Sequence, residues 1–405
     1  MMRKEWMCVC WRVLGWLLLL GLAMLGPGVA AQAATVSVNC SRDSINAVLS
    51  RLAVTGPHTI TVTGTCSENV VIGNRQNVTL QGPAQGPATL TASAGRVLAI
   101  GNATGIVLQR LVISGAAGML IFNASKAYIT GSSIENSARQ GVRVTGGSEL
   151  TIDTSTVRNN NLQGIGVNGS VLAVAGDVTI EGNREAGIRL GDHSRGSIEG
   201  FTVQGNVIRD NLRGIAVSWG SSVALDGQNT IQNNTEYGLQ VGWNSLADIS
   251  ENTLDGTPLV TIIEGSGGSG LVLFGSAAAS LSAAKIRNNG TGHTGDPWYR
   301  GSGIIVAHGA SLSAEPLVAG GPGVEITNNL GPGILADATG TLFLDGSTIS
   351  NNNGDGIRLL HLSAAELSSF KSPNTITGNQ GAGIFCDKTS VTFGNLAGIL
   401  RIGCK

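Results

Sequence analysis

Between residues 118 and 386 the chain repeats one short pattern, a glycine followed by an apolar, a variable and an apolar residue. Gly141-Val142-Arg143-Val144 and Gly356-Ile357-Arg358-Leu359 are two copies. The leading glycine recurs at Gly118, Gly141, Gly164, Gly187, Gly214, Gly238, Gly270, Gly303, Gly333, Gly356 and Gly383; its shortest spacing is 23 residues, so longer spacings read as insertions. Each unit holds two further alternations. One is Leu150-Thr151-Ile152, matched by Val223-Ala224-Leu225 and Leu342-Phe343-Leu344; the other centres on Val157, Ile180, Ile208, Ile231, Ile326, Ile349 and Ile376. Four residues before the glycine stands Asn160, Asn183, Asn234, Asn329, Asn352 or Asn379, with Asp210 in the equivalent place once. Three period-2 strands per unit, separated by Gly/Asn turns, exclude helical repeats. A leucine-rich repeat would need leucine at most consensus positions and a helix per unit, and neither is present.

Each unit therefore predicts one triangular coil, whose strands pair in parallel with their copies about 4.8 Å above and below. Inward Ile, Val and Leu would form continuous ladders, and stacked asparagines would satisfy turn backbone. The expected fold is all-β: a single-stranded right-handed parallel β-helix with a short N-terminal capping helix. The coils quoted above, the second with its upstream Asn352, resemble those of the pectin-lyase-like right-handed parallel β-helix repeat family over roughly residues 60 to 390. The resemblance implies the solenoid and leaves activity open, because that solenoid serves lyases, hydrolases, epimerases and passive surface proteins.

The ends differ from the middle. Arg3, Lys4 and Arg12 precede an apolar run from Val13 to Leu25, then Gly26-Pro27 and the small-residue site Ala31-Gln32-Ala33. Residues 1–33 thus read as a signal peptide, too short in its apolar run for the ~18–20 residues of a membrane span. Cleavage would move the net charge from −1 to −3 by removing Arg3, Lys4, Arg12 and Glu5. Residues 34–58 read as an N-terminal cap, 59–386 as the β-helix and 387–405 as a C-terminal cap. Ile45, Val48, Leu49 and Leu52 fall on one helical face, with Asp43 placed to cap it. Of the six cysteines, Cys40, Cys66, Cys386 and Cys404 would survive cleavage, and an oxidising compartment predicts two local disulfides, one at each end. Loops of about 27 and 19 residues are each worth roughly 3 kcal/mol in the chain-entropy model.

Composition agrees. Glycine numbers 60 of 405 residues, and charged residues are 13%, about half the ~25% of an ordinary domain. A net charge of −1 gives no argument for nucleic acid.

Candidate chemistry lies where the repeat is broken or decorated. The second residue after each glycine points outward, giving the ladder Leu120, Arg143, Gly166, Arg189, Ala216, Gln240, Val272, Ile305, Leu335, Arg358, Phe385. Its apolar run Val272, Ile305, Leu335 predicts either a loop laid over it or a binding surface. The fifth residue gives a corner ladder of Asp192, Trp219, Trp243, Gly275, His308, Ala338, His361 and Lys388. Trp219 and Trp243, one coil apart, suit the apolar faces of sugars. One interruption, between Asn289 and Gly303, carries His293, Asp296, Trp298, Tyr299 and Arg300; another, Gly256 to Ser269, carries Glu264. Both are expected to wall a groove whose opposite rim holds Trp243 and His308.

For a lyase acting on a uronate, which needs a base and cations, the candidates are Asp192, His193, Arg189 and Arg195. For a hydrolase they are Asp337 and Asp387, two coils or about 9.6 Å apart, at the upper margin of an inverting pair. No complete catalytic motif is present. No cofactor is expected, because no cofactor or metal motif is present, and nothing in the sequence supports calcium. Two readings follow. One is an exported, periplasmic or cell-surface protein that binds, and as an enzyme cleaves or modifies, an extended polysaccharide, uronate-containing on the lyase reading. The alternative is a non-catalytic structural or adhesive cell-surface protein.

Overall fold

The computed structural model describes residues 33–292, 301–321, 323–399 and 403–404. It is a right-handed parallel β-solenoid built from three sheets. We call the sheet of glycine-led strands sheet I; its thirteen strands run from Val70–Gly73 to Ile384–Cys386. Sheet II follows it in each coil and has fifteen strands, from Ala34–Asn39 to Val391–Gly394. Sheet III has thirteen, from Thr65–Ser67 to Thr375–Thr377. Parallel pairing therefore already starts at Ala34, within the segment read as a cap, and runs past residue 386.

Register follows the apolar period. Val157, Ile180, Ile208 and Ile231 pair coil to coil in sheet III and are fully or almost fully buried. From Gly141 to Gly356, the glycine before a sheet I strand is required by space rather than by backbone angle. A Cβ on Gly164 would lie 2.7 Å from the Gly187 carbonyl oxygen and 2.8 Å from Asn183 Nδ2.

That asparagine belongs to a buried ladder. Asn160 Nδ2 donates to Asn183 Oδ1 at 2.9 Å, Asn183 to Asn211 at 2.9 Å, and Asn329 to Asn352 at 2.9 Å. The member in the Gly214 coil is Asn211, not Asp210. That coil is one residue shorter before its glycine, so Asp210 takes the preceding left-handed turn position (φ 55), where Asn159 and Asn233 stand in other coils. At the next corner a buried serine ladder does similar work: the amides of Ser125, Ser148 and Ser170 donate to the hydroxyls of Ser148, Ser170 and Ser194.

Helix α1 (Ile45–Arg51) closes the N-terminal end, burying Ile45 and Leu49 against the open core. Its N-cap is Ser44, whose hydroxyl accepts from the Ala47 amide; Asp43 instead accepts from the Asn39 amide. The first coil completes both helix ends. Glu68 accepts from the Ile45 amide at 2.7 Å, and Arg75 donates to the Leu52 carbonyl at 3.0 Å. A carboxylate at the N-terminus and a guanidinium at the C-terminus both complement the helix dipole. Disulfides join Cys40 to Cys66 and Cys386 to Cys404.

Candidate functional site

The outer ladder of sheet I is paired as expected, Arg143 to Gly166, Gly166 to Arg189, Arg189 to Ala216 and Ala216 to Gln240. Small residues at Gly166 and Ala216 keep this stretch of the face low. A cleft of about 540 Å³ lies across it. Arg189, Ala216 and Gln240 form the floor, Trp219 and Trp243 one rim, and Gln163, Glu185 and Arg213 the other.

The two indoles are stacked, with centroids 4.9 Å apart and planes within 3°, and the edge of Phe274 closes the stack at 4.7 Å. They remain 50% and 43% exposed. Both hold left-handed backbone, at φ 58 and 52, a region that costs a non-glycine residue roughly 1–2 kcal/mol. Gly275 fills the same corner one coil on, so the turn itself does not require an indole.

Two arginines of sheet I are paired, Arg213 with Glu236 and Arg358 with Asp355, each at 2.6 Å, and four on or beside it are not. On sheet III, Arg158, Arg209 and Arg287 each bond a carboxylate on the preceding coil, Glu135, Glu181 and Glu264, at 2.7 Å. On and beside sheet I, none of Arg96, Arg139, Arg143 and Arg189 has a carboxylate partner among the described residues. Arg96 bonds only backbone carbonyls, and burial together with the neighbouring charges of Arg139 and Arg143 pushes its pKa down. A row of uncompensated cations favours an anionic ligand.

The expected lyase set is divided by the corner between sheets I and II. Arg189 lies in the cleft, whereas Arg195 begins a sheet II strand and faces a separate trough. Asp192 and His193 occupy the exposed turn between them, Asp192 accepting from Asn168 Nδ2 at 2.6 Å. The trough, about 910 Å³, is floored mainly by small residues such as Ala224, Ala278 and Ser280. Its charged lining is Arg195 with Asp248 and Glu366, and burial, with Asp226 nearby, raises the Asp248 pKa. This balance does not suit a polyanion.

The two interruptions emerge at different corners. The one containing Gly256 is a hairpin, Asn252–Leu254 against Thr257–Leu259, between a sheet II and a sheet III strand, so it cannot wall the cleft. Glu264 is not in a loop either; it belongs to the sheet III ion-pair row. The other interruption does precede sheet I, but His293, Asp296, Trp298, Tyr299 and Arg300 lie outside the described residues. Val272, Ile305 and Leu335 are covered: they form a second buried cluster with Ala307, against which Tyr237, Phe274 and Leu360 pack. His308 is exposed on the corner ladder beyond it.

Asp337 and Asp387 do stand two coils apart, but His361 lies on the coil between. Its Nδ1 is 2.6 Å from Asp337 Oδ1, and its amide donates to Asp387 Oδ2 at 2.7 Å. An inverting hydrolase needs a water between its carboxyls and one of them protonated. Burial opposes the charge on Asp387, yet hydrogen bonds from the His361 amide, Ser390 and Thr389 hold it far below the usual carboxylate range.

A family model for the right-handed β-helix region matches residues 96–254 and 228–396. The chain belongs to the right-handed β-helix family. No curated protein matches it in sequence. Among solved structures, the A-module of the mannuronan C-5 epimerase AlgE4 from Azotobacter vinelandii superposes with a TM-score of 0.51 at 15% identity, covering 83% of this chain and 91% of its own. The periplasmic alginate epimerase AlgG gives 0.50 at 12%, covering 89% and 84%. These likenesses are of fold. No helix among the described residues is long and apolar enough to cross a membrane.

Proposed function

We propose that this protein is exported and binds an extended, carboxylate-bearing polysaccharide along the outer face of sheet I. The observation that carries the reading is the stacked Trp219–Trp243 pair, exposed and held on left-handed backbone beside Arg189, which has no ion-pair partner among the described residues. Indole faces suit the C–H faces of sugar rings, and Arg143 and Arg189, two coils apart on the outer ladder, suit carboxylates repeated along a chain. Two neighbours of the same fold are named as epimerases of mannuronan and alginate, polymers of this class. The terminal disulfides and the N-terminal apolar segment support export.

The test is titration calorimetry of the purified protein with polyuronates and with uncharged glucans of equal length, at low and high salt. Binding confined to polyuronates and weakened by salt is expected; equal binding of both, or none, would sink the proposal.

A second reading, adhesion to another protein, is favoured by one feature at the corner of sheets II and III. Phe370 is 90% exposed beside the exposed Leu317 and Val318 segment, and the two loops are joined by Lys371–Glu315 at 2.8 Å. Asp345 anchors the Phe370 loop through the Lys371 and Ser372 amides. Loss of cell-surface attachment in Phe370→Ser, with glycan binding unchanged, would favour this reading.

A further inference from the structure

The corner between sheets II and III is the one corner that does not border sheet I, and its turns alternate in length. After the sheet II strands Ser222–Gly227, Ala278–Leu281 and Thr341–Asp345 the chain reaches sheet III within one or two residues. After Arg195–Gly200, Leu246–Ser250, Ser311–Ala314 and Ala364–Ser368 it makes a longer loop or, once, the hairpin. The long turns thus stand two coils, or roughly 9.6 Å, apart, and each has more room than the width of one coil would give.

Each of the four long turns carries an exposed large apolar side chain: Phe201 and Val203, Leu254, Leu317 and Val318, and Phe370. Three of them present no unpaired charge. Residues 201–205 and 316–321 are uncharged, and beside Phe370 the ammonium of Lys371 is held by Glu315 at 2.8 Å. Only the hairpin is acidic at its tip, with Asp255 next to Leu254. Exposed apolar groups gathered in one place mark a protein or a membrane contact. A protein interface has a contiguous, close-packed apolar core, which tips on four separate loops do not make. A fluid lipid surface fills the spaces between them and needs no matching shape. With no unpaired cation at the tips, nothing there selects anionic lipid.

We propose that this row of loop tips docks the protein on a lipid bilayer of uncharged headgroups, its Phe, Leu and Val side chains entering the edge of the hydrocarbon. The hairpin, limited by Asp255, stays at headgroup depth. Because sheet I does not border this corner, attachment leaves the cleft and its Trp219–Trp243 rim open to solvent. The two halves of the surface then differ in kind: sheet I carries unpaired cations and recognises by charge, whereas the opposite corner carries neutral apolar tips and holds by burial.

The proposal does not depend on the glycan reading, and it shares Phe370 with the adhesion reading, from which the test separates it. The purified protein is mixed with vesicles of phosphatidylcholine, alone or with added phosphatidylglycerol, at low and high salt. Cosedimentation with phosphatidylcholine alone is expected, insensitive to salt and changed less than about twofold by the anionic lipid. In Phe370→Trp, brominated acyl chains should quench the added emission, while that of Trp219 and Trp243 is kept. Affinity should fall about 10-fold in Phe370→Ser, and further when Phe201→Ser and Leu317→Ser are added. Melting temperature should hold, because these side chains are exposed. No quenching in Phe370→Trp, affinity unchanged by the three serine substitutions, or binding that requires phosphatidylglycerol overturns the proposal. Absence of vesicle binding overturns it too, and loss of cell-surface attachment in Phe370→Ser would then assign the corner to a protein partner.

Discussion

Two stretches of sheet I share strand pairing and register and differ in what points outward. From Arg143 to Gln240 the ladder is small or polar, the corner carries two indoles, and a cleft is left open. From Val272 to Leu335 the same positions are branched and apolar, and they are buried in a second cluster outside the solenoid core. The inward ladders stay apolar and buried through both. A solenoid therefore separates its functions cleanly. Inward residues set the fold coil by coil, while outward ones are free to make a groove in one place and a sealed wall in the next.

The contrast predicts opposite responses to an introduced charge. Ile305→Asp places a carboxylate where only 2% of the residue is exposed, and should cost about 4 kcal/mol or more. Arg189→Glu on the open stretch should change stability by less than about 0.5 kcal/mol. Chemical denaturation of the two proteins decides the matter; similar losses would mean that the cleft floor is packed as tightly as the wall.

The next largest effect is expected at the indoles. Replacing either with glycine, the residue present at 275, relieves left-handed strain and forfeits the stack, terms of opposite sign and each about 1 kcal/mol. Melting temperature should therefore hardly move. Polyuronate affinity should fall about 5- to 150-fold per ring, by analogy with base–aromatic stacking. A clear loss of melting temperature with unchanged affinity would assign the pair to the fold.

The fold was legible because its signal repeats. Val157, Ile180 and Ile208 mark sheet III by period alone, and the spacing to Trp219 and Trp243 placed both on one corner. The repeat says less where one residue or one corner decides. Asp43 and Asp210 each neighbour the residue that does the work, Ser44 and Asn211, because a cap and a ladder position are set by backbone angle rather than residue type. The hairpin around Gly256 emerges between sheets II and III rather than before sheet I, since its flanking strands, not its length, decide the corner. Arg189 and Arg195 are six residues apart, but the chain turns between them. The contrast between paired and unpaired arginines could have been found: Glu135 and Arg158 occupy equivalent places on successive coils, as do Glu181 and Arg209, whereas Arg143 faces Gly166.

That contrast carries the finest prediction. Arg143→Gln and Arg189→Gln remove cations with no carboxylate partner among the described residues, so folding stability should be unaffected. Polyuronate affinity should weaken by about 1 kcal/mol, or roughly fivefold, per arginine at low salt, by analogy with basic residues at an anionic surface. The salt dependence of binding should flatten with each removal, because fewer counterions are displaced. Arg158→Gln and Arg209→Gln, on sheet III, should do the reverse. Each breaks a half-exposed ion pair worth about 0.2–1 kcal/mol of stability, and glycan affinity should not change. Four variants measured by calorimetry and thermal melting at two salt concentrations complete the comparison. If the sheet III pair weakens binding as much as the sheet I pair, the ligand is held by overall charge and not by this face.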